Sequence, residues 1–95
     1  MNITDVRINI KNQTLNKVLA SVSITICGVL VITGLQIIDG AQGIFVSMPQ
    51  YKDFEGKYRD RVYALSKETK EYISRTVLTE YEKQIGSADN GDSYY

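Results

Sequence analysis

Three cations stand at every second position in the stretch that follows the chain's only proline. Lys57, Arg59 and Arg61 are spaced so that, on a β-strand, their side chains extend from one face. Lys52 adds a fourth cation in the preceding loop. Several cations on one short, rigid element are suited to contacting the phosphates along a nucleic acid. This stretch is therefore the first candidate for a binding site.

Aromatic side chains stand beside these cations. Tyr51 and Phe54 flank Lys52, and either ring is able to stack on an exposed base. A second interpretation of the same stretch is a solvated edge strand whose cations pair with nearby acids. Those acids are Asp53, Glu55 and Asp60. The residue pattern leaves both interpretations open.

The composition argues against catalysis. The 95 residues include no histidine, which removes the commonest general base and the commonest zinc ligand. The chain has a single cysteine, Cys27, which excludes an intramolecular disulfide and a Cys-only zinc site. So low a number of cysteines is consistent with a reducing compartment. The carboxylates form no identifiable acid–base pair. We therefore expect no enzymatic activity, no metal site and no cofactor.

The net charge of the chain limits the ways in which it could bind nucleic acid. The chain has 11 basic and 11 acidic residues, so its net charge is zero. A polybasic protein that coats nucleic acid through overall charge is thereby excluded. Any contact with phosphates must come from a local cluster of cations.

An uncharged stretch over residues 18–38 is as long as a membrane-spanning helix requires. From Val18 to Ile26, however, its residues alternate between apolar side chains and mostly Ser or Thr, which is the pattern of a strand with one buried face. A second run of the same period follows Cys27-Gly28 and contains Val29, Val31, Leu35 and Ile37. The pattern predicts a two-stranded hairpin and no membrane segment. With no signal peptide before it, we expect a soluble, cytoplasmic protein.

Other strands are predicted on either side of this hairpin. Residues 2–10 alternate, residues 44–48 form a short apolar strand that Pro49 ends, and residues 57–63 form a short polar strand after a loop over 50–56. After an N-cap at Ser66, apolar residues recur every three or four positions up to a helix end at Gly86. The sequence thus predicts an α+β fold, with a small, mainly antiparallel sheet of four or five strands and one C-terminal amphipathic α-helix.

The predicted domain covers residues 1–85. Residues 86–95 carry two acids and no apolar periodicity, so we expect an acidic, disordered tail there. Arg75, on the polar side of the helix, is a further candidate for nucleic-acid contact. A sheet this small keeps an open edge, and pairing of two copies into a homodimer would close it.

Several segments, taken in order, resemble the stage V sporulation protein G (SpoVG) family. The similarity covers nearly all of residues 3–82. Its most specific part is a block from Asp39-Gly40 to Met48-Pro49, with Arg59-Asp60 eleven residues further on. It also includes Thr4-Asp5-Val6-Arg7, Ser23-Ile24-Thr25, Gly56-Lys57-Tyr58-Arg59-Asp60 and Val77-Leu78-Thr79-Glu80-Tyr81.

The resemblance implies a small bacterial cytoplasmic regulator that forms homodimers and binds DNA, and in some members RNA. Such proteins are linked to septation, sporulation and gene regulation. In the family, basic residues directly after the Met-Pro motif are implicated in nucleic-acid contact. The matching positions here are Gln50, Tyr51 and Lys52, of which only Lys52 is basic. Lys57 adds a cation where the family often has an acid.

Two functions therefore remain open. The first is a dimeric nucleic-acid-binding regulator, for which the expected contact residues are Lys52, Lys57, Arg59, Arg61 and Arg75. The alternative is a protein-interaction module that docks a partner chain through its sheet edge or through the aromatic loop at Tyr51 and Phe54, without nucleic acid.

Overall fold

The computed structural model describes residues 2–11 and 17–93, with side chains described as far as Gly86. Its elements, in chain order, are β1 (Ile3–Ile10), β2 (Val18–Ile26), β3 (Leu30–Gly40), β4 (Gly43–Ser47), β5 (Gln50–Lys52), β6 (Tyr58–Asp60) and α1 (Lys67–Ser93). Strands β1 to β4 form an antiparallel sheet in sequential order, while β5 and β6 pair separately. The predicted α+β class is confirmed, with the strands divided between two sheets.

The core lies between one face of the four-stranded sheet and the apolar face of α1. Strand β2 buries every second residue from Ala20 to Ile24, as its alternation predicts. From the helix, Ile73, Val77 and Tyr81 are buried at intervals of four residues. Leu35 and Ile37, both on β3, complete the main core. Packing of the amphipathic helix on this face therefore creates the domain's principal apolar interior.

Strand β3 changes the face that it buries at a β-bulge. Two of its residues, Thr33 and Gly34, stand opposite the single residue Ser23 of β2. Gly34 has a φ of 90°, which a residue without Cβ adopts readily. The bulge reverses the alternation, so that Val31 is 57% exposed whereas Leu35 is fully buried. The predicted uninterrupted alternation along this strand is therefore wrong.

The hairpin predicted at Cys27-Gly28 is confirmed. Cys27 and Gly28 have φ values of 53° and 70°, and the Val29 N–H donates to the Ile26 carbonyl across the turn (3.0 Å). Two consecutive positive φ values are typical of the turn that matches the twist of antiparallel strands.

Within the described part of the chain, no helix has both the length and the apolarity needed to cross a membrane.

Helix α1 begins where the sequence predicts and ends later. The Thr69 N–H donates to Ser66 Oγ (3.1 Å), which confirms Ser66 as the N-cap. The helix continues through Gly86 to Ser93, so the predicted end at Gly86 is wrong. The side chains of residues 87–93 and all of residues 94–95 lie outside the described part, and the prediction of a disordered tail over 86–95 stays a prediction.

Candidate nucleic-acid interface

The candidate binding stretch folds as a two-stranded ribbon, which here denotes residues 49–61. Strands β5 and β6 pair antiparallel, and every residue in both is exposed. The pairing extends beyond them, because the Asp53 N–H donates to the Lys57 carbonyl (2.8 Å) and the Arg61 N–H donates to the Pro49 carbonyl (2.6 Å). The predicted loop therefore includes an additional strand, β5. Apart from the buried Pro49 and the half-buried Asp53, most side chains of the ribbon are therefore accessible to a ligand.

Asp53 fixes the turn at the tip of the ribbon. The Gly56 N–H donates to the Asp53 carbonyl (2.9 Å), and Gly56 has a φ of 87°, as in a type I turn followed by a left-handed glycine. The Asp53 carboxylate also accepts hydrogen bonds from the N–H groups of Glu55 and Lys57 (2.9 Å each). Three hydrogen bonds to one residue hold this turn in a single conformation.

Arg59 is paired with the same carboxylate. Arg59 Nε donates to Asp53 Oδ2 at 2.7 Å, and the Asp53 side chain is only 11% exposed. The solvated-strand interpretation, in which cations pair with local acids, thus describes Arg59. Its charge is partly compensated within the ribbon, and its contact with nucleic acid stays a prediction.

The register divides the four predicted cations of the ribbon between its two faces. Tyr51 is opposite Arg59, and Lys52 is opposite Tyr58. Because opposite residues share a face and neighbours alternate, Lys52 and Tyr58 lie on one face. The other face carries the three cations whose spacing predicts a common side, namely Lys57, Arg59 and Arg61. Lys52 therefore does not extend that row of cations.

Each face also pairs a cation with an aromatic ring. On one face, Lys52 Nζ lies 5.9 Å from the centre of the Tyr58 ring. On the other, the Arg61 guanidinium lies 5.4 Å from the centre of the Tyr51 ring. Neither interaction neutralises the positive charge. In the described part of the chain, Lys52, Lys57 and Arg61 form no ion pair, so their charges are available to an anionic ligand.

Arg75 belongs to a different surface. It lines a shallow groove of about 580 Å³ on α1 together with Lys67, Lys70, Glu71 and Ser74. Among the described residues, no hydrogen bond or ion pair connects Arg75 with the ribbon. Lys67 and Lys70 are not among the predicted contact residues, although their helical spacing from each other indicates a second basic cluster.

The remaining chemistry of the described residues is sparse. Nowhere in the described ranges do three or more acidic or cysteine side chains gather in a way that could hold a metal ion. Cys27 is exposed at the tip of the β2–β3 hairpin and is not part of a disulfide. The ribbon thus remains the strongest candidate site, through its charge and its aromatic rings.

Acidification is expected to loosen the ribbon's turn. The Arg59 guanidinium, followed by the Lys57 N–H, holds the pKa of Asp53 below its ordinary value of 3.8. Because the folded-state pKa is lowered, the stabilisation is complete above the ordinary value and is lost as the pH falls through the folded-state pKa. An NMR titration of the Glu55 and Lys57 amide signals should report this loss. In Asp53→Asn the transition should be absent, and an unchanged transition would contradict the assigned role of Asp53.

Residues 1–83 match the family model described as SpoVG. Curated relatives carry the name "Putative septation protein SpoVG". One from Symbiobacterium thermophilum is 44% identical over 87 residues, which cover 92% of this chain and 61% of the relative. This chain therefore spans about three fifths of that relative's length.

Two other relatives are matched over nearly their full length. A protein from Clostridium perfringens is 40% identical over 83 residues, covering 87% of this chain and 91% of the relative. A protein from Myxococcus xanthus is 37% identical over 91 residues, covering 96% of this chain and 90% of the relative. The region that the family model matches, residues 1–83, includes the four-stranded sheet, the ribbon and most of the helix.

Proposed function

The chain belongs to the SpoVG family, and we propose that it is a homodimeric regulatory protein that binds nucleic acid through the ribbon. The observation that supports this function best is the set of exposed ribbon cations, Lys57 and Arg61 on one face and Lys52 on the other, none of which has an acidic partner in the described ranges. We assign this binding to the regulation of septation, sporulation or gene expression, in keeping with the family resemblance.

The ribbon has the physical properties that phosphate contact requires. Its cations stand on a two-stranded element with a fixed turn, so little backbone conformational entropy is lost when they meet the phosphates of a nucleic acid. Neutralising phosphates releases condensed counterions, which supplies most of the affinity of sequence-independent binding. The chain has zero net charge and the ribbon itself contains the acids Asp53, Glu55 and Asp60, so binding of this kind depends on the cations that have no acidic partner among the described residues.

A homodimer would double the number of such contacts. Strands β1 and β4 are the outer strands of the four-stranded sheet, and each leaves one edge without a neighbouring strand among the described residues. On β4, Ile44 and Phe45 are 47% and 48% exposed. Burial of these side chains against a second copy would remove apolar surface from water and bring two ribbons into one assembly.

The proposal is tested by measuring binding at several salt concentrations. We expect labelled single-stranded and duplex oligonucleotides to bind at about 50 mM salt, with an affinity that falls linearly on a log–log plot as salt rises. Fluorescence anisotropy gives both the affinity and the slope. Absence of binding to either oligonucleotide up to tens of micromolar protein at this salt concentration would contradict the proposal.

The alternative is a protein-interaction module. An apolar groove of about 290 Å³ lies between the sheet and the start of α1, and Leu65 at its rim is 93% exposed. Exposed apolar surface of this kind favours docking of a partner chain. A pull-down from nuclease-treated lysate separates the two functions, because a docked protein partner persists after nuclease treatment and one bridged by nucleic acid does not.

A further inference from the structure

Phe54 is the most exposed large apolar side chain at the candidate interface. It lies directly after Asp53 in the ribbon's turn and is 98% exposed. In the described part of the chain it has no aromatic or cationic partner. A single exposed apolar side chain is common on protein surfaces, so this ring points to a ligand only in combination with the cations that stand on either side of it.

The other two rings of the ribbon are less available. Tyr51 is 38% exposed and lies beneath the Arg61 guanidinium. Tyr58 is 69% exposed, but Lys52 lies over its ring. The sequence offers Tyr51 and Phe54 for stacking on a base. In the structure Phe54 has a free face, whereas the ring of Tyr51 is partly covered by Arg61.

The surroundings of Phe54 indicate the chemistry of its ligand. Asp53 accepts two backbone hydrogen bonds and thereby fixes the turn that carries the ring. Two cations that form no ion pair with any described residue stand on either side of the turn, Lys52 before it and Lys57 after it, while the acids Asp53 and Glu55 directly flank Phe54 in the sequence. An aromatic platform between cations is the arrangement that binds single-stranded nucleic acid, since the cations follow the phosphates while a base stacks on the ring.

Resting on the proposed function, we propose that Phe54 is a stacking platform for an unpaired base, and that single-stranded DNA or RNA is the preferred ligand of the ribbon. In a duplex the faces of the bases are already stacked on one another. A ribbon lying in the major groove would meet only base edges and thymine methyl groups, which use little of the ring's surface. A single strand, by contrast, offers the whole face of a base.

Substitution of Phe54 tests the stacking directly. Phe54→Ala should weaken binding to labelled oligothymidine and oligouridine by on the order of 5- to 150-fold, the range for loss of one stacked base. The slope of affinity against salt should not change, because the ring contacts no phosphate. Duplex affinity should also stay the same. Val29→Ala is the matched control, since Val29 is 85% exposed in the turn between β2 and β3, and it should bind like the unsubstituted chain.

A spectroscopic measurement supports the same test. The chain contains no tryptophan, so Phe54→Trp introduces a single indole at the tip of the ribbon. Its emission should be quenched by oligothymidine and not by an abasic strand of equal length, although both strands supply phosphates.

The outcomes separate the inference from the function on which it rests. Binding of single strands that Phe54→Ala leaves unchanged would overturn the stacking role while the proposed function stands. Equal losses of single-strand and duplex affinity would overturn the preference for unpaired bases. If the unsubstituted chain binds neither form, the proposed function itself fails.

Discussion

Replacement of both Lys57 and Arg61 by glutamine is expected to lower the affinity for a labelled oligonucleotide by on the order of 10- to 60-fold at about 0.1 M salt. Each cation that neutralises a phosphate releases counterions, and this contribution grows as the salt concentration falls. The loss of two contacts should reduce the slope of log affinity against log salt by about 1.4 on a single strand and about 1.8 on a duplex. Anisotropy titrations at several salt concentrations measure both quantities.

Two single substitutions serve as controls for this result. Arg59→Gln should reduce the slope less than Lys57→Gln, because Asp53 already compensates the Arg59 charge at 2.7 Å. Arg7→Gln removes a cation on β1 that is paired with Asp5 at 3.1 Å, and it should leave binding unchanged. An equal effect of Arg7→Gln and Lys57→Gln would mean that overall charge, and not the ribbon, determines the affinity.

The alternation of apolar and polar residues was sufficient to predict most of the four-stranded sheet. Strand β2 shows why, since Ala20, Val22 and Ile24 are buried at the positions that their period requires. Strand β3 shows the limit of the method, because the bulge at Thr33-Gly34 changes the buried face within one strand. A glycine inside a strand pattern is the signal for such a bulge, but it does not say whether the alternation is reversed.

Only part of the candidate site can be predicted from the sequence, because the rest depends on the register between β5 and β6. The common face of Lys57, Arg59 and Arg61 follows from spacing alone. The placement of Lys52 on the opposite face depends on how many residues the turn contains, because the turn sets the register of the hairpin. The same register brings Asp53 to Arg59, a pairing that spacing along one strand does not reveal. An Asp followed three residues later by Gly was the available signal for this turn.

Truncation of Ile37 to alanine is expected to destabilise the chain by about 2–5 kcal/mol. Ile37 is fully buried on β3, between Ala20 of β2 and Val46 of β4. Removal of its side-chain atoms forfeits the favourable free energy of burying those atoms away from water. It also leaves a cavity that the two neighbouring strands cannot easily close. Small domains have a total stability of only about 5–15 kcal/mol, so this one substitution removes a large part of it. Urea denaturation monitored by circular dichroism measures the change.

Graded and matched variants identify burial as the cause. Ile37→Val removes a single methylene and should cost only about 0.5–1.5 kcal/mol. Val31→Ala lies on the same strand before the bulge, where the side chain is 57% exposed, and its midpoint should move least. If Val31→Ala proved as destabilising as Ile37→Ala, the reversal of faces at Gly34 would be contradicted. The glutamine variants of the exposed ribbon should keep the unsubstituted midpoint, because their side chains lie outside this core.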